Sequence, residues 1–273
     1  MSQRNLFRNL FTGLAAFVVA LTCTVGSASA QNTSVSGCAA LPSYAKLKAA
    51  LVQATKDETS GLNNHMWATV VDRDGVVCAV AFSGKDRFSQ WPGSRVISAQ
   101  KANTANAFGL DSSSNSDGSG QKDGLALSSG NLFSAVQPGG SLYGLQFSNP
   151  VNEDAGYKIP SAAYGTAADP MKGSKIGGVN VFGGGLPLFA AGKKMVGGVG
   201  VSGDTSCADH FIAWRVRNNL GLDHMAGVGG ISGDPQRPDN IVFDITNGQS
   251  KGGFGHPTCL NTGNEKTLPP VQP

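Results

Sequence analysis

The first apolar positions with a clear period are Tyr44, Leu47, Leu51 and Ala54, continued by Glu58, behind Pro42 and ahead of Gly61. This three-to-four spacing predicts an amphipathic helix, because proline suits a first helical turn and glycine a stop. The pattern then changes to two β-rich runs, Met66 to Val71 and Val76 to Phe82. Between them lies Asp72-Arg73-Asp74-Gly75, whose Asp-Gly pair predicts an antiparallel hairpin. A second helix is expected from about Ser94 to Phe108, stopping at Gly109. Ile97, Lys101, Thr104, Ala105 and Phe108 form one stripe of it, interrupted by the charge of Lys101. Ser98, Ala102, Ala105 and Gly109 form a small-residue stripe suited to close packing on a sheet.

Periodicity fades between Leu110 and Lys175, where the polar stretch to Gly124 is followed by Pro138, Pro150, Pro160 and Pro170. This reads as a loop-rich insertion, flexible near Ser112 to Gly120. Strand character returns at Gly178 to Phe182, Leu186 to Phe189 and Met195 to Val201, with Ala191-Gly192-Lys193 as a turn. A third helix is expected with Thr205 or Ser206 as its cap and Asp209 in its first turn. It carries Phe211, Ile212, Trp214 and Val216 and ends near Gly221. A short strand at Ile241 to Ile245 and an unstructured tail from Asn261 to Pro273 complete the expectation. The order helix, hairpin, helix, hairpin, helix predicts an α+β fold.

The N-terminus changes where this fold is expected to operate. Arg4 and Arg8 precede an apolar run from Leu10 to Val25, and Ala28-Ser29-Ala30 supplies the small residues of a cleavage site. Residues 1–30 are therefore read as a secretory signal, leaving residues 31–273 as a single exported domain, periplasmic or secreted. The apolar run is shorter than the ~20 residues of a spanning helix, so no membrane span is expected after processing. Loss of the two arginines lowers the formal charge from +3 to about +1, which gives nucleic acid no electrostatic footing. Glycine, 38 of 273 residues, implies many tight turns and close backbone approaches. Cys38, Cys78, Cys207 and Cys259 form an even set, which in an oxidising compartment favours two disulfides, with three pairings open.

Familiar catalytic signatures are absent: no Gly-x-Ser-x-Gly, no His-Glu-x-x-His, no phosphate loop and no Cys-x-x-Cys-His. Four segments in fixed order stand out instead. They are Val70-Val71-Asp72-Arg73-Asp74-Gly75, Ala99-Gln100-Lys101-Ala102-Asn103-Thr104-Ala105, Gly183-Gly184-Gly185-Leu186-Pro187-Leu188 and Gly197-Gly198-Val199-Gly200-Val201-Ser202-Gly203. Together they resemble the GlcG/HbpS-like haem-binding family. The resemblance covers roughly Leu41 to Leu110 and Ile176 to Leu220. It implies an antiparallel sheet flanked by helices, as in profilin and roadblock domains, with an insertion at about 110–175 and a C-terminal extension at about 222–273. It also implies a homo-oligomer and haem, or a related small anionic ligand, as the partner. The implied roles are haem or iron handling linked to oxidative stress, or in some members haem breakdown, and whether this chain is an enzyme stays open.

The matched residues have chemistry of their own. Lys101 and Thr104, one turn apart, offer an ammonium and a hydroxyl to an anion such as a propionate; otherwise Lys101 snorkels and Thr104 bonds its own backbone. Ser202 lies in the Gly200 to Gly203 turn that leads into the third helix, where first-turn amides hold a carboxylate or merely form a capped turn. Cys207-Ala208-Asp209-His210 and His256-Pro257-Thr258-Cys259 mirror each other, and facing each other they would make a four-ligand zinc-type site. In an oxidising compartment Cys207 and Cys259 more readily close a disulfide, which brings His210 near His256 and leaves Cys38 to pair with Cys78. His210, in a first helical turn whose dipole keeps imidazole neutral, is the expected haem-iron ligand, with His256 nearby. His65 and Met66, adjacent on a strand, point to opposite faces and are not expected to share one iron, and His224 is expected in solvent.

Overall fold

A central antiparallel sheet is buried on both faces, which explains why its strands read as apolar runs rather than alternations. In the computed structural model, which describes residues 37–261 and 264–273, the sheet order is β2 (Val77–Phe82), β1 (Trp67–Asp72), β4 (Lys194–Ser202) and β3 (Gly185–Ala190). The β1–β2 hairpin forms as expected, with Asp72 Oδ1 accepting from the amides of Asp74 and Val76 and Gly75 at a φ of 77°. The signal at 1–30 lies outside the described residues. Among the described residues no helix is long and apolar enough to cross a membrane.

Helices cover both faces. α2 (Ser94–Phe108) lies on one, where Trp67, Val71, Val77 and Val80 pack with Val96, Ala99 and Ala102. α1 (Tyr44–Asp57) and α4 (Ser206–Asn219) lie on the other, where Leu47, Leu51, Phe211 and Trp214 meet Ala68, Val70, Val199 and Val201. The small-residue stripe of α2 presses on glycines of β4. A Cβ at Gly198 or Gly200 would collide with the carbonyls of Ala102 and Ser98, so this approach requires glycine. α4 begins at Ser206 with Thr205 as its cap, whose hydroxyl accepts from the Ala208 amide. Both disulfides pair as expected, Cys38 with Cys78 and Cys207 with Cys259.

The structure corrects three expectations. Gly178 to Phe182 forms no strand: Gly178 turns the chain at a φ of 74°, and side chains take backbone groups beyond it, Thr104 Oγ1 accepting from Asn180 N and Ser129 Oγ donating to Phe182 O. Ile241 to Ile245 is no strand either; only β5 (Ile245–Thr246) pairs, with β6 (Gln249–Ser250). The described part of the tail is not unstructured but packs on the core. Leu268 and Val271 are buried, Trp214 Nε1 donates to Pro269 O at 3.0 Å, and Val271 N donates to Gln236 O. In the insertion, the helical turn at Ser112–Asn115 is capped by Asp111, and α3 (Glu153–Gly156) is a single turn.

Candidate functional site

The expected site residues converge where α2, β4 and the start of α4 meet, but they converge inward. Lys101 and Thr104 have no exposed surface. Lys101 Nζ donates to Asp209 Oδ2 at 2.6 Å and to Val201 O at 3.1 Å, joining α2 to α4 beneath the sheet end. The other oxygen of Asp209 accepts from Asp204 N at 2.8 Å. Burial pushes the Asp209 carboxyl up to about 6 despite the attraction of Lys101, and burial likewise lowers Lys101. Thr104 Oγ1 donates to Gln100 O at 2.8 Å while accepting from Asn180 N. Neither side chain reaches an external anion, and Lys101 does not snorkel: both hold the fold together. Ser202 is buried at the end of β4.

The two histidines are equally committed. His210 is sealed, with Nε2 hydrogen-bonded to Asn240 Oδ1 at 3.2 Å and Nδ1 without a partner among the described residues. Burial brings its imidazole down to about 4, and the positive charges of Arg217 and His256 push the same way. It is therefore neutral at physiological pH, through burial and not through the helix dipole expected from sequence, since His210 is the fifth residue of α4. His256 Nε2 lies 2.7 Å from Ser206 Oγ, and its Nδ1 lies 2.6 Å from Pro257 O. Ser206 Oγ also accepts from Gly183 N at 2.6 Å, tying the triple glycine to α4. Clefts of about 690, 250 and 390 Å³ open elsewhere on the surface, and none is lined by Lys101, Thr104, Ser202, His210 or His256. A haem with His210 as its iron ligand does not fit the chain as folded, because the ring is fully buried, with Asn240 on its Nε2 and Phe211 and Trp214 beside it.

A different histidine faces outward. Met66 is buried and His65 exposed, so the two do point to opposite sides, and His65 stands alone. In the Nδ1–H tautomer it donates to Ser83 Oγ, 3.3 Å away, and presents the Nε2 lone pair outward. Its ring meets Phe82 edge-on at 5.8 Å. Gly84 is bare beside both, where a Cβ would press on the Phe82 ring and on His65 Cδ2. Gln90 Nε2 donates to the carbonyls of His65 and Gly203, holding the loop that carries Phe88 and Trp91 next to this histidine. These aromatics are 70% and 52% exposed. The adjoining 250 Å³ cleft is lined by Phe82, Gly84, Tyr44, Tyr164 and the cations Lys48, Lys85 and Arg87. An exposed imidazole nitrogen, an apolar ring beside it and nearby cations are groups of the kinds that a haem engages, but His65 itself does not line the cleft. Sequence reasoning passed over this edge, although two large aromatics in the polar run from Lys85 to Trp91 are its visible mark.

No curated protein matches the chain. Solved structures similar to it include Klebsiella pneumoniae protein ORFY, at 24% identity over 66% of this chain and 90% of that one, with a TM-score of 0.41. The PduOC:haem complex follows at 21% identity, 64% and 90% coverage and a TM-score of 0.40. A double mutant of Streptomyces reticuli HbpS is 20% identical over 65% and 83%, with a TM-score of 0.38. The family model described as haem degrading protein HbpS-like matches residues 45–217, from the start of α1 to the last turn of α4. That match spans more than half of the sequence and takes in all four strands of the sheet, so the chain belongs to the HbpS-like family.

Proposed function

We propose that the protein, exported to the periplasm or beyond, holds haem without covalent attachment at the His65 edge and serves in haem or iron handling. The observation that carries this reading is the exposed His65, edge-on to the Phe82 ring and beside a cleft lined by Lys48, Lys85 and Arg87, with the exposed Phe88 and Trp91 on the loop that Gln90 ties to the His65 carbonyl. His65 is the iron ligand, Ser83 orients it, and Lys85 and Arg87 supply charge for the propionates. Haem, when bound, supplies a redox-active iron close to solvent. Membership of a family described as haem degrading supports a haem-related role in general. Assembly into a homo-oligomer is proposed on the same footing and is read by light scattering.

Haemin titration of the mature protein, followed in the Soret region, should saturate near one equivalent. His65→Ala should abolish or shift the band, and an unchanged spectrum would remove His65 as ligand. A band moved by His210→Asn but not by His65→Ala would return the iron to His210 and require its buried surroundings to open. Ascorbate added in the presence of catalase separates the roles: a carrier keeps its spectrum, whereas a haem-degrading enzyme bleaches it and releases iron.

A further inference from the structure

The mirrored cysteine and histidine pairs do more than staple the extension to α4. The ligand atoms of Cys207, Cys259 and a ring nitrogen of His256 all lie within 4.8 Å of one another. We propose that these three residues form a redox-gated metal site, a disulfide when oxidised and, when reduced, two thiolates and an imidazole that bind one divalent cation of the zinc type. The inference is independent of the haem reading.

Four features support it. The two Cα atoms are 6.0 Å apart, and both sulfurs lie about the Pro257 carbonyl, at 3.8 and 4.0 Å, so reduction leaves them side by side. Cys207 is the second residue of α4, where the positive end of the helix favours thiolate. The Cys207 amide points at Cys259 Sγ, 3.2 Å away, a donor that steadies negative charge on that sulfur. The Nδ1 of His256 is fixed on Pro257 O, the backbone contact that orients metal-binding imidazoles and sets the tautomer with a lone pair on Nε2; in the oxidised form that pair accepts from Ser206 Oγ, 2.7 Å away, which the metal displaces. Two thiolates and a neutral imidazole balance the charge of a divalent ion in a mostly buried place, and this donor set suits zinc. His210, three residues beyond Cys207, stays on Asn240. The site thus has three protein ligands, not the four of the mirrored motif, and leaves the fourth position to solvent.

The switch needs a reductant, and an external dithiol supplies the electrons. Its thiolate attacks Cys259 Sγ, since Cys259 is half-buried while Cys207 is enclosed. The S–S bond breaks and its electron pair leaves on Cys207, stabilised there by the helix end. The second thiol of the reductant then resolves the mixed disulfide, freeing Cys259 as thiolate and leaving the reductant oxidised. Metal binding keeps both protein thiols deprotonated and releases their protons to water. The other such cluster, Cys38, Asp72 and Cys78, has no imidazole, and its carboxylate is engaged in the hairpin turn. It serves as the control.

The test reduces the full mature protein anaerobically with a phosphine in the presence of cobalt(II), a spectroscopic probe for tetrahedral zinc sites. Expected is uptake of one equivalent, with thiolate-to-cobalt charge-transfer bands, and none by the oxidised protein. The Cys38→Ser/Cys78→Ser variant should behave alike, Cys207→Ser/Cys259→Ser should lose the bands, and His256→Gln should bind at least about tenfold more weakly. Bands that persist without Cys207 and Cys259, that vanish without Cys38 and Cys78, or that never form would overturn the proposal. So would loss of the far-ultraviolet helix signal on reduction with cobalt present, because the site requires α4.

Discussion

Burial, more than charge pairing, sets the chemistry of the residues at the α2–α4 junction. His210 shows the consequence most simply. Its folded value, brought down to about 4 chiefly by burial, lies below the 6.5 of an exposed imidazole, so between these values the unfolded chain binds the extra proton. The stability that His210 contributes is therefore present in full above about pH 6.5 and is lost as pH falls through about 4. At about 1.4 kcal/mol per pH unit this amounts to at most about 3 kcal/mol. Asp209 works in the opposite sense: its raised carboxyl contributes stability below the ordinary aspartate range that is lost as pH rises through about 6. Urea melts at pH 7 and pH 4.5 should show His210→Asn losing less stability on acidification than the parent. Equal losses would mean that His210 does not govern the acid limb. His256, also lowered by burial, keeps some of that limb in the variant. From sequence, Lys101 was visible as a charge inside an apolar stripe, but its partner, 108 residues on, was visible only as a capping aspartate.

At the scale of elements, what local pattern encodes appeared where it was expected, and what long-range partners encode did not. The hairpin and α2 need only their own turn chemistry and period, and both fall within a residue or two of expectation. The segment from Gly178 to Phe182 has the valines of a strand, yet Thr104 and Ser129 intercept its hydrogen bonds, and no local signal reports that. The tail misled for a related reason: Leu268 and Val271 are isolated apolar residues among prolines, with no period to mark them as core. Deleting residues 268–273 should therefore be costly. It exposes the sites of two apolar side chains and strips Trp214 Nε1 of its acceptor, together about 4 kcal/mol. Urea unfolding followed by tryptophan fluorescence measures this, and a loss below about 1 kcal/mol would show the tail to be dispensable. The His65 edge was missed because the surroundings of the proposed site come from a loop 20 to 26 residues away, tied to the His65 carbonyl by Gln90.

At the scale of the whole molecule, the additions to the family segment are built into its interior. Arg95 of α2 is buried against Asp169 of the insertion and stacks 3.6 Å over the Tyr164 ring. Arg217 of α4 is buried in a bidentate pair with Asp239 of the extension, and its guanidinium also lies over Trp214. Each disulfide likewise joins the family segment to chain outside it: Cys38 precedes residue 45 and Cys259 follows residue 217. An excised fragment of residues 45–217 keeps the four-stranded sheet, the Arg95–Asp169 pair and the three long helices except Tyr44 of α1 and Asn218 and Asn219 of α4, but it loses the Arg217–Asp239 pair and both disulfides. Removing Asp239 strands the Arg217 charge at about 3–5 kcal/mol. Each lost disulfide removes roughly 4 kcal/mol on the chain-entropy account. The combined loss matches or exceeds the about 5–15 kcal/mol by which a domain is stable. The fragment should thus be digested rapidly by protease and lack a cooperative melt, while residues 31–273 resist and melt cooperatively. A fragment that melts as a unit would mean that the extension is an ornament on a self-sufficient core, and that the seal over His210 can open without unfolding the domain.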